Sequence, residues 1–467
     1  MSKKLSRRSF LKSTALTGAL TSILTLTPGA REKLLGDGAA SALEYPRVDK
    51  PPYEVEGEVG RFDNRNNAHS RGYWDESQSF YMFGPQGMTA FHDTLKNIAT
   101  GTPKPGFDHR DLSLFMSSAL MFKVGSFAAS HLWEPELPPG LTKPYTTTPE
   151  EAAQTVKMAA KHFGASVVGT CKLNRDWLYS HRYHVENWKT DAKDLFTKVF
   201  GLEKGLLGPV MTPEERKKLQ MPHVDDELPQ EMNNVIVCGI EMDYEAYQRT
   251  LSCVEIAETY RAYSFDKFLI MHLALFINYM GYRAWPFGSY GPGLGIPMAV
   301  DAGLGEMGRN GLLINPDFGP RLRICGVITD MPIQPDKPID MGVTKFCETC
   351  GLCAENCPSG SISKDNNRTS EAVYSTTNYG VKKWPFDACK CKAYWDDHNI
   401  SACGNCVHYC PYNKPKTEMH KLAAHLAPTL GSTLVKMEKM LGYSEPKDVA
   451  SWWAQDPNKF FPRSTKK

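Results

Sequence analysis

The hydrophobic pattern in the middle of the chain predicts alternating strands and helices. Segment 165–170 is short and β-branched, which is typical of a buried strand, and segment 234–240 repeats this character. A helix capped by its first threonine is predicted over 148–163, and a longer, almost entirely apolar helix over about 265–279. The alternation indicates an α/β or α+β sheet domain that continues to about residue 330.

The first forty residues have the pattern of an export signal. Arg7 and Arg8 lie in the run SRRSFLK, and a mildly apolar stretch follows over 15–27. These features predict a twin-arginine signal peptide over 1–42, although an ordinary basic N-terminus is an alternative. The most apolar later segment, 112–133, is interrupted by polar residues and glycine, so we expect a buried or pocket-lining helix there rather than a membrane span.

Changes in composition divide the rest of the chain into four units. The loop-rich segment 43–147 is predicted to wrap another unit, and 148–340 forms the sheet body. Segment 341–414 is rich in cysteine, and the tail 415–467 is helical and aromatic, so we expect it to pack back on the body.

Length and charge exclude several classes of protein. The chain has 467 residues, enough for about three domains of roughly 150 residues. Hydrophobic residues make up 41% and charged residues 23%, which argues against disorder. With 54 Lys+Arg and 52 Asp+Glu the net charge is +2, so no nucleic-acid partner is expected.

The cysteines carry the strongest chemical signal. Nine of the 13 lie between Cys347 and Cys410. The spacing Cys-x2-Cys-x2-Cys-x3-Cys-Pro, starting at Cys347, is that of a bacterial ferredoxin, and a second run, Cys-x2-Cys-x3-Cys-Pro from Cys403, lacks one cysteine. We therefore predict two [4Fe–4S] clusters. Zinc is disfavoured because zinc sites use paired Cys-x2-Cys elements, and disulfides are the weaker alternative.

The spacing also predicts how the ligands divide, because the fourth cysteine of such a run binds the neighbouring cluster. The first cluster is assigned to Cys347, Cys350, Cys353 and Cys410. The second is assigned to Cys357, Cys403, Cys406 and one of Cys389 or Cys391.

Several stretches, taken with the export signal and the C-terminal double cluster, resemble the corrinoid-dependent reductive dehalogenases of the tetrachloroethene type. These stretches are 235–247, 296–314, 318–321 and 329–330. The resemblance covers about residues 150–415. It implies an α+β fold in which a nitroreductase-like, cobalamin-binding α/β core precedes a bacterial ferredoxin-like 2[4Fe–4S] domain, and it favours Cys391 as the remaining ligand.

The resemblance also implies function. A base-off corrinoid, reduced again by electrons from the two clusters, would replace halogen by hydrogen on an organohalide. A chlorinated ethene is the first choice of substrate, and alkanes or aromatics are alternatives. It implies anaerobic respiration at the outer face of the cytoplasmic membrane or in the periplasm, a small integral membrane anchor protein and an upstream electron donor.

The same resemblance names site residues. Tyr263, expected at the head of the long helix, would donate the proton, and Arg309 would be the cation beside it. Ser289 would hydrogen-bond the substrate, although the family often has Asn or Lys there. Five glycines would let the corrinoid approach the backbone: Gly291, Gly293, Gly295, Gly305 and Gly308.

Three alternatives remain open. The run Gly-x-Gly-x-x-Gly over 303–308 makes a nicotinamide site formally possible. An epoxyqueuosine-reductase-like corrinoid enzyme and a non-catalytic two-cluster electron carrier also fit the cysteine pattern.

Overall fold

The structure is a computed structural model that describes residues 44–80, 92–131, 141, 143–183, 223–288, 291–398 and 400–457. The predicted signal peptide over 1–42 lies outside the described residues, and so does Ser289.

A four-stranded antiparallel sheet forms the centre of the body. Its strands are β1 (Val167–Lys172), β2 (Asn234–Glu241), β3 (Ala284–Phe287) and β6 (Leu322–Thr329), in the order β1-β2-β6-β3. Every neighbouring pair is antiparallel. A separate hairpin joins β4 (Glu306–Met307) to β5 (Leu313–Ile314). Both predicted strands are confirmed, and so is the α+β class.

The sheet buries both of its faces, as the continuous apolar run of β2 predicts. Ile236 and Cys238 pack in the cluster that contains the long helix, whereas Val235 and Val237 pack in a cluster on the opposite face. All four side chains are 0% exposed. The sheet is therefore the middle layer of the body, with helices on both sides.

The helices of the described residues are, in chain order, α1 (Ala68–Trp74), α2 (His92–Ala99), α3 (His109–His131), α4 (Pro149–His162), α5 (Val224–Glu227), α6 (Tyr244–Tyr247), α7 (Cys253–Tyr279), α8 (Gly295–Asp301), α9 (Val343–Cys350), α10 (Leu352–Glu355), α11 (Ala388–Asp397), α12 (Asn405–His408), α13 (Glu418–Leu430), α14 (Ser432–Met440) and α15 (Ala450–Trp453).

Helix α4 begins as the sequence predicts. The Thr148 hydroxyl accepts a hydrogen bond from the backbone N–H of Glu151 at 3.2 Å, and two carboxylates occupy the first turn.

The long helix α7 begins well before the predicted position near residue 265. Ser252 caps it by accepting from the Glu255 N–H at 3.4 Å, and Cys253 and Ile256 at its start are fully buried. The Ser-x-x-Glu sequence of a capping box marked this start and was missed. Tyr263 consequently lies in the middle of the helix, and its predicted position at the helix head is wrong.

Helix α3 packs along α7. Phe115 contacts Tyr260 and Phe122 contacts Tyr263, each with ring centroids 5.3 Å apart. The predicted helix over 112–133 is thus present. In the described part of the chain, no helix has the length and apolar character needed to cross a membrane.

Segments near both ends of the described range contact distant parts of the chain. Residues Arg47 and Ile339 form an isolated bridge, and the indole N–H of Trp453 donates to the Asp111 carboxylate at 2.7 Å. The boundaries proposed for the four units of the chain remain a prediction.

Candidate active site

Two short helices hold the first cysteine set. Helices α9 and α10 are separated by Gly351, whose φ of 68° turns the chain sharply between them. A cavity lies at this turn, and four cysteines line it: Cys347, Cys350, Cys353 and Cys410. These are the four predicted ligands of the first cluster.

Arg309 fixes the backbone around this cavity. Its guanidinium donates to the carbonyl of Cys347 at 3.0 and 3.2 Å, and to the carbonyls of Ser363 at 3.0 Å and Asp365 at 2.9 Å. It also donates to the Asn366 side chain and lies 4.7 Å from the centre of the Trp384 ring system. Arg309 therefore belongs to the cysteine domain.

Burial disfavours the ionised form of these thiols when no cation is bound. It raises the pKa of Cys347 to about 11 and that of Cys350 to about 12, and it raises the pKa values of Cys353 and Cys410 as well. Thiolates in such surroundings need a cationic partner, which bound iron supplies. The donor set thus fits an iron–sulfur cluster.

The second cysteine set lies between α10, α11 and α12. Burial and the neighbouring charge of Cys357 raise the pKa of Cys391 to about 12, and the charges of Cys391 and Cys357 also raise the pKa of Cys403 and of Cys406. These four cysteines are therefore neighbours. Cys389 instead faces Arg71, Asp75 and Asp387.

Hydrogen bonds distinguish Cys357 within this set. Although burial raises its pKa, the Ser359 hydroxyl at 3.3 Å and the Ser361 N–H at 3.4 Å interact with its sulfur, and the net effect is a lowered pKa. In the described residues, no group of three or more His, Cys, Asp or Glu side chains is arranged to hold a single metal ion. A four-iron cube separates its thiolates more widely than one ion does. The eight ligand assignments, with Cys391 in preference to Cys389, remain a prediction.

Tyr263 has a cation beside it, but that cation is Arg323. The guanidinium carbon of Arg323 lies 4.0 Å from the centre of the Tyr263 ring. Tyr263 is half-buried and also packs against Phe122. The predicted pairing with Arg309 is wrong, because Arg309 is held by the cysteine domain. Sequence reasoning missed Arg323 since strand β6, which carries it along α7, was not predicted.

Arg323 stays charged in this position. Burial lowers its pKa, but the negative groups around it, among them Tyr263 and Asp266, outweigh this and raise the pKa overall. Its buried Nε has no hydrogen-bond partner in the described residues. A half-buried cation whose buried Nε has no partner favours an anionic neighbour, such as a phenolate or a halide.

Basic and aromatic side chains lie near Arg323. The side chain of His69 is solvent accessible, but desolvation by the surrounding protein and the charges of Lys392 and Arg323 lower its pKa to about 4. The His69 and Trp395 rings lie 5.7 Å apart, and the Lys392 ammonium lies 5.7 Å from the Trp395 ring. These side chains are therefore neighbours.

A buried carboxylate connects this region with the second cysteine set. Glu255 is 0% exposed, and burial raises its pKa to about 7. It accepts from the Gly404 N–H at 3.2 Å and from the Thr259 hydroxyl at 3.3 Å. It lies within electrostatic reach of Arg323 and of Cys403. This residue was not predicted from the sequence.

The five predicted corrinoid-contacting glycines are all packed against the chain itself. A Cβ on Gly291 would lie 2.4 Å from Phe287, and one on Gly293 would lie 2.5 Å from the Trp177 carbonyl oxygen. A Cβ on Gly295 would lie 3.3 Å from Ile324.

The other two glycines belong to the β4–β5 region. A Cβ on Gly305 would lie 2.1 Å from the Ile314 carbonyl oxygen, and one on Gly308 would lie 3.0 Å from Asn310. Gly308 also lines the cavity of the first cysteine set. Internal packing thus accounts for the glycines, and their contact with a corrinoid remains a prediction.

The Gly-x-Gly-x-x-Gly run lacks the geometry of a dinucleotide site. It follows helix α8 and leads into the short hairpin of β4 and β5, whereas a dinucleotide fold needs a strand before the run and a helix after it. This local geometry argues against a nicotinamide at 303–308.

Comparison with known proteins agrees with this arrangement. Residues 346–413 match the 4Fe-4S double cluster binding domain. Tetrachloroethene reductive dehalogenase from Sulfurospirillum multivorans is 37% identical over 332 residues, which are 69% of this chain and 63% of that protein. The enzyme of the same name from Dehalobacter restrictus is 36% identical over 64% of this chain and 55% of its own length.

The fold has a known counterpart as well. A solved reductive dehalogenase structure, which suggests a mechanism for B12-dependent dehalogenation, superimposes with a TM-score of 0.61 at 21% identity. The match covers 91% of this chain and 53% of the other. The chain thus spans less than two thirds of the relatives it matches. By sequence the chain is similar to reductive dehalogenases, and it shares their fold.

Proposed function

We propose that this chain is a reductive dehalogenase that replaces a halogen by hydrogen on a small organohalide, using a corrinoid and two [4Fe–4S] clusters. The observation that carries the proposal is the Tyr263 phenol stacked against the Arg323 guanidinium at 4.0 Å. This pair lies within electrostatic reach of Glu255, which contacts the loop of the second cysteine set. A proton donor and an electron route therefore meet at one place.

The side chains near Arg323 fit a corrinoid. A corrinoid carries amide side chains around its ring, and the residues here offer donors, namely the Nε of Arg323 and the Lys392 ammonium, beside the flat face of Trp395. When bound, the corrinoid supplies a strongly reducing cobalt centre. This group of side chains thus has the polarity that a corrinoid needs.

Two residues of the chain would donate the proton and stabilise the leaving group. Replacing a carbon–halogen bond by a carbon–hydrogen bond consumes two electrons and one proton and releases a halide. Tyr263 Oη donates the proton, and the fixed charge of Arg323 stabilises the phenolate that remains. The same guanidinium attracts the departing halide.

We further propose a chlorinated ethene as substrate, with alkanes and aromatics as alternatives, because two relatives that are 37% and 36% identical are named tetrachloroethene reductive dehalogenase. Export by the twin-arginine route, a small membrane anchor protein, and an upstream respiratory electron donor complete the proposal.

The test is anaerobic reconstitution of the full chain with iron, sulfide and cobalamin, followed by assay with reduced viologen and a panel of halogenated compounds. We expect halide release by the wild type and its loss in Tyr263→Phe. Tyr260→Phe is the matched control, because its ring lies 6.1 Å from that of Tyr263 on the same helix.

Two results would overturn the proposal. One is a fully reconstituted chain that binds no cobalamin. The other is a Tyr263→Phe variant that retains cobalamin and wild-type turnover, which would remove the proton-donor assignment.

A further inference from the structure

Glu255 has an unusual position for a fully buried carboxylate. It occupies the first turn of α7, where a Glu three residues after a capping serine normally bonds back to the capping residue. Its two oxygens instead accept from the Gly404 N–H and the Thr259 hydroxyl. The carboxylate is therefore turned toward the cysteine domain.

The contact with the cysteine loop is close. Gly404 lies between Cys403 and Cys406, and a Cβ at Gly404 would lie 2.7 Å from the Glu255 carboxyl carbon. A side chain at position 404 would displace the carboxylate, so the close contact depends on the glycine. The hydrogen bond fixes the backbone of the turn that presents both cysteines.

The remaining contacts fix the position of the Glu255 carboxylate. The Thr259 hydroxyl that donates to Glu255 is also 2.7 Å from the Tyr247 hydroxyl, and Tyr247 is buried. Ring atoms of Tyr247 line the same side of Gly404. The charge is thus kept at one place beside the loop.

We propose that Glu255 is a positioning residue for the second cluster and that the negative charge of its ionised carboxylate lowers the reduction potential of that cluster. A cluster gains negative charge on reduction, so a nearby anion in a low-dielectric interior makes reduction less favourable. A lower potential gives the transferred electron more reducing power toward the active site. The inference deepens the proposed function, since it concerns how electrons reach that site.

The test is an anaerobic redox titration of the reconstituted full chain, followed by electron paramagnetic resonance in mildly alkaline buffer. Glu255→Gln keeps the oxygen that accepts from Gly404 and removes the charge. We expect one of the two midpoint potentials to rise while the other stays at the wild-type value and the iron content is unchanged. Unchanged potentials, or an equal rise of both, would overturn the proposal.

Glu258→Gln is the matched control. Glu258 is also buried and lies one turn further along α7, but it pairs with Arg261 and accepts from the Asp243 N–H at 2.8 Å. We expect both potentials to stay at the wild-type values in this variant. A rise as large as that in Glu255→Gln would show that any carboxylate of this helix has the effect.

If Glu255→Gln loses iron, Glu255→Asp decides the question. This variant keeps the charge, but its side chain is one methylene shorter, so the charge lies farther from Gly404. We therefore expect a smaller rise of the same midpoint potential. An unchanged potential would contradict the proposal. The potentials are measured without substrate, so they test Glu255 even if the chain dehalogenates nothing.

Discussion

Two arginines that look equally suitable in the sequence have different roles in the fold. Arg309 follows a glycine in a tight turn and resembles an active-site cation, but its donors are used on backbone carbonyls around the first cysteine set. Arg323 is a charged residue within a buried strand, and its guanidinium reaches Tyr263. Sequence distance could not separate them, because the strand that brings Arg323 to the helix pairs with residues far away in the chain.

We predict opposite effects for the two arginines. Arg323→Gln removes the charge that stabilises phenolate and halide, so turnover falls by about two orders of magnitude while iron and cobalamin contents stay unchanged. Arg309→Gln removes the bonds that hold the cysteine loop, so iron content falls first. Metal analysis and halide release on the same preparations check this, and the reverse pattern would restore Arg309 as the cation at the active site.

At the level of elements, the sequence predicted the helices and strands that are determined by local signals. The two strands with continuous apolar runs and helix α4 with its threonine cap were found because each pattern is complete within a few residues. The start of α7 was misplaced because Glu255, Glu258 and Arg261 interrupt the apolar pattern of its first turns, and the capping serine was overlooked. Strand β6 depends on pairing with the distant strands β2 and β3, which a local pattern does not contain, and β4 and β5 have only two residues each, too few for a periodic signal.

The residues of the candidate site also differ in whether local sequence signals or only the folded chain reveals them. The division of the cysteines was inferred from spacing, and the structure groups the same residues, whereas Arg323 and Glu255 required the folded chain because each meets its partners across distant segments.

The cap of α4 gives a direct test at this scale. Thr148→Ala removes the acceptor of the Glu151 N–H, so the free energy of unfolding should fall by about 1 kcal/mol. Thr147→Ala is the control, because its exposed hydroxyl bonds only to the Glu151 side chain and caps no backbone group. Urea denaturation of both variants measures the difference, and equal losses would contradict the capping role.

The whole molecule combines a sheet body with a cysteine domain that has few apolar residues of its own. The first cysteine set shares a hydrophobic cluster with α9, α13 and α14, so the C-terminal helices contribute to its surroundings. The body has two larger clusters on the faces of its sheet. The stability of the cysteine domain should therefore depend on its metal much more than the stability of the body does.

Removal of iron with a chelator under anaerobic conditions is expected to increase local unfolding in the cysteine domain more than in the sheet body. Amide hydrogen exchange should increase in helices α9 to α12, while strands β2 and β6 keep their protection. Refilling with iron and sulfide should restore the slow exchange. A uniform increase across both parts would show that the body also depends on the clusters.

Helix α7 carries Glu255 near its start and Tyr263 two turns later. Because an α-helix advances 1.5 Å per residue, these positions are about 12 Å apart along the axis, and a helix packed on α3 and the sheet cannot stretch. The spacing between the proposed points of electron entry and proton donation is consequently rigid. New substrates can then be accommodated by changes in the surrounding loops, with no need to readjust that spacing.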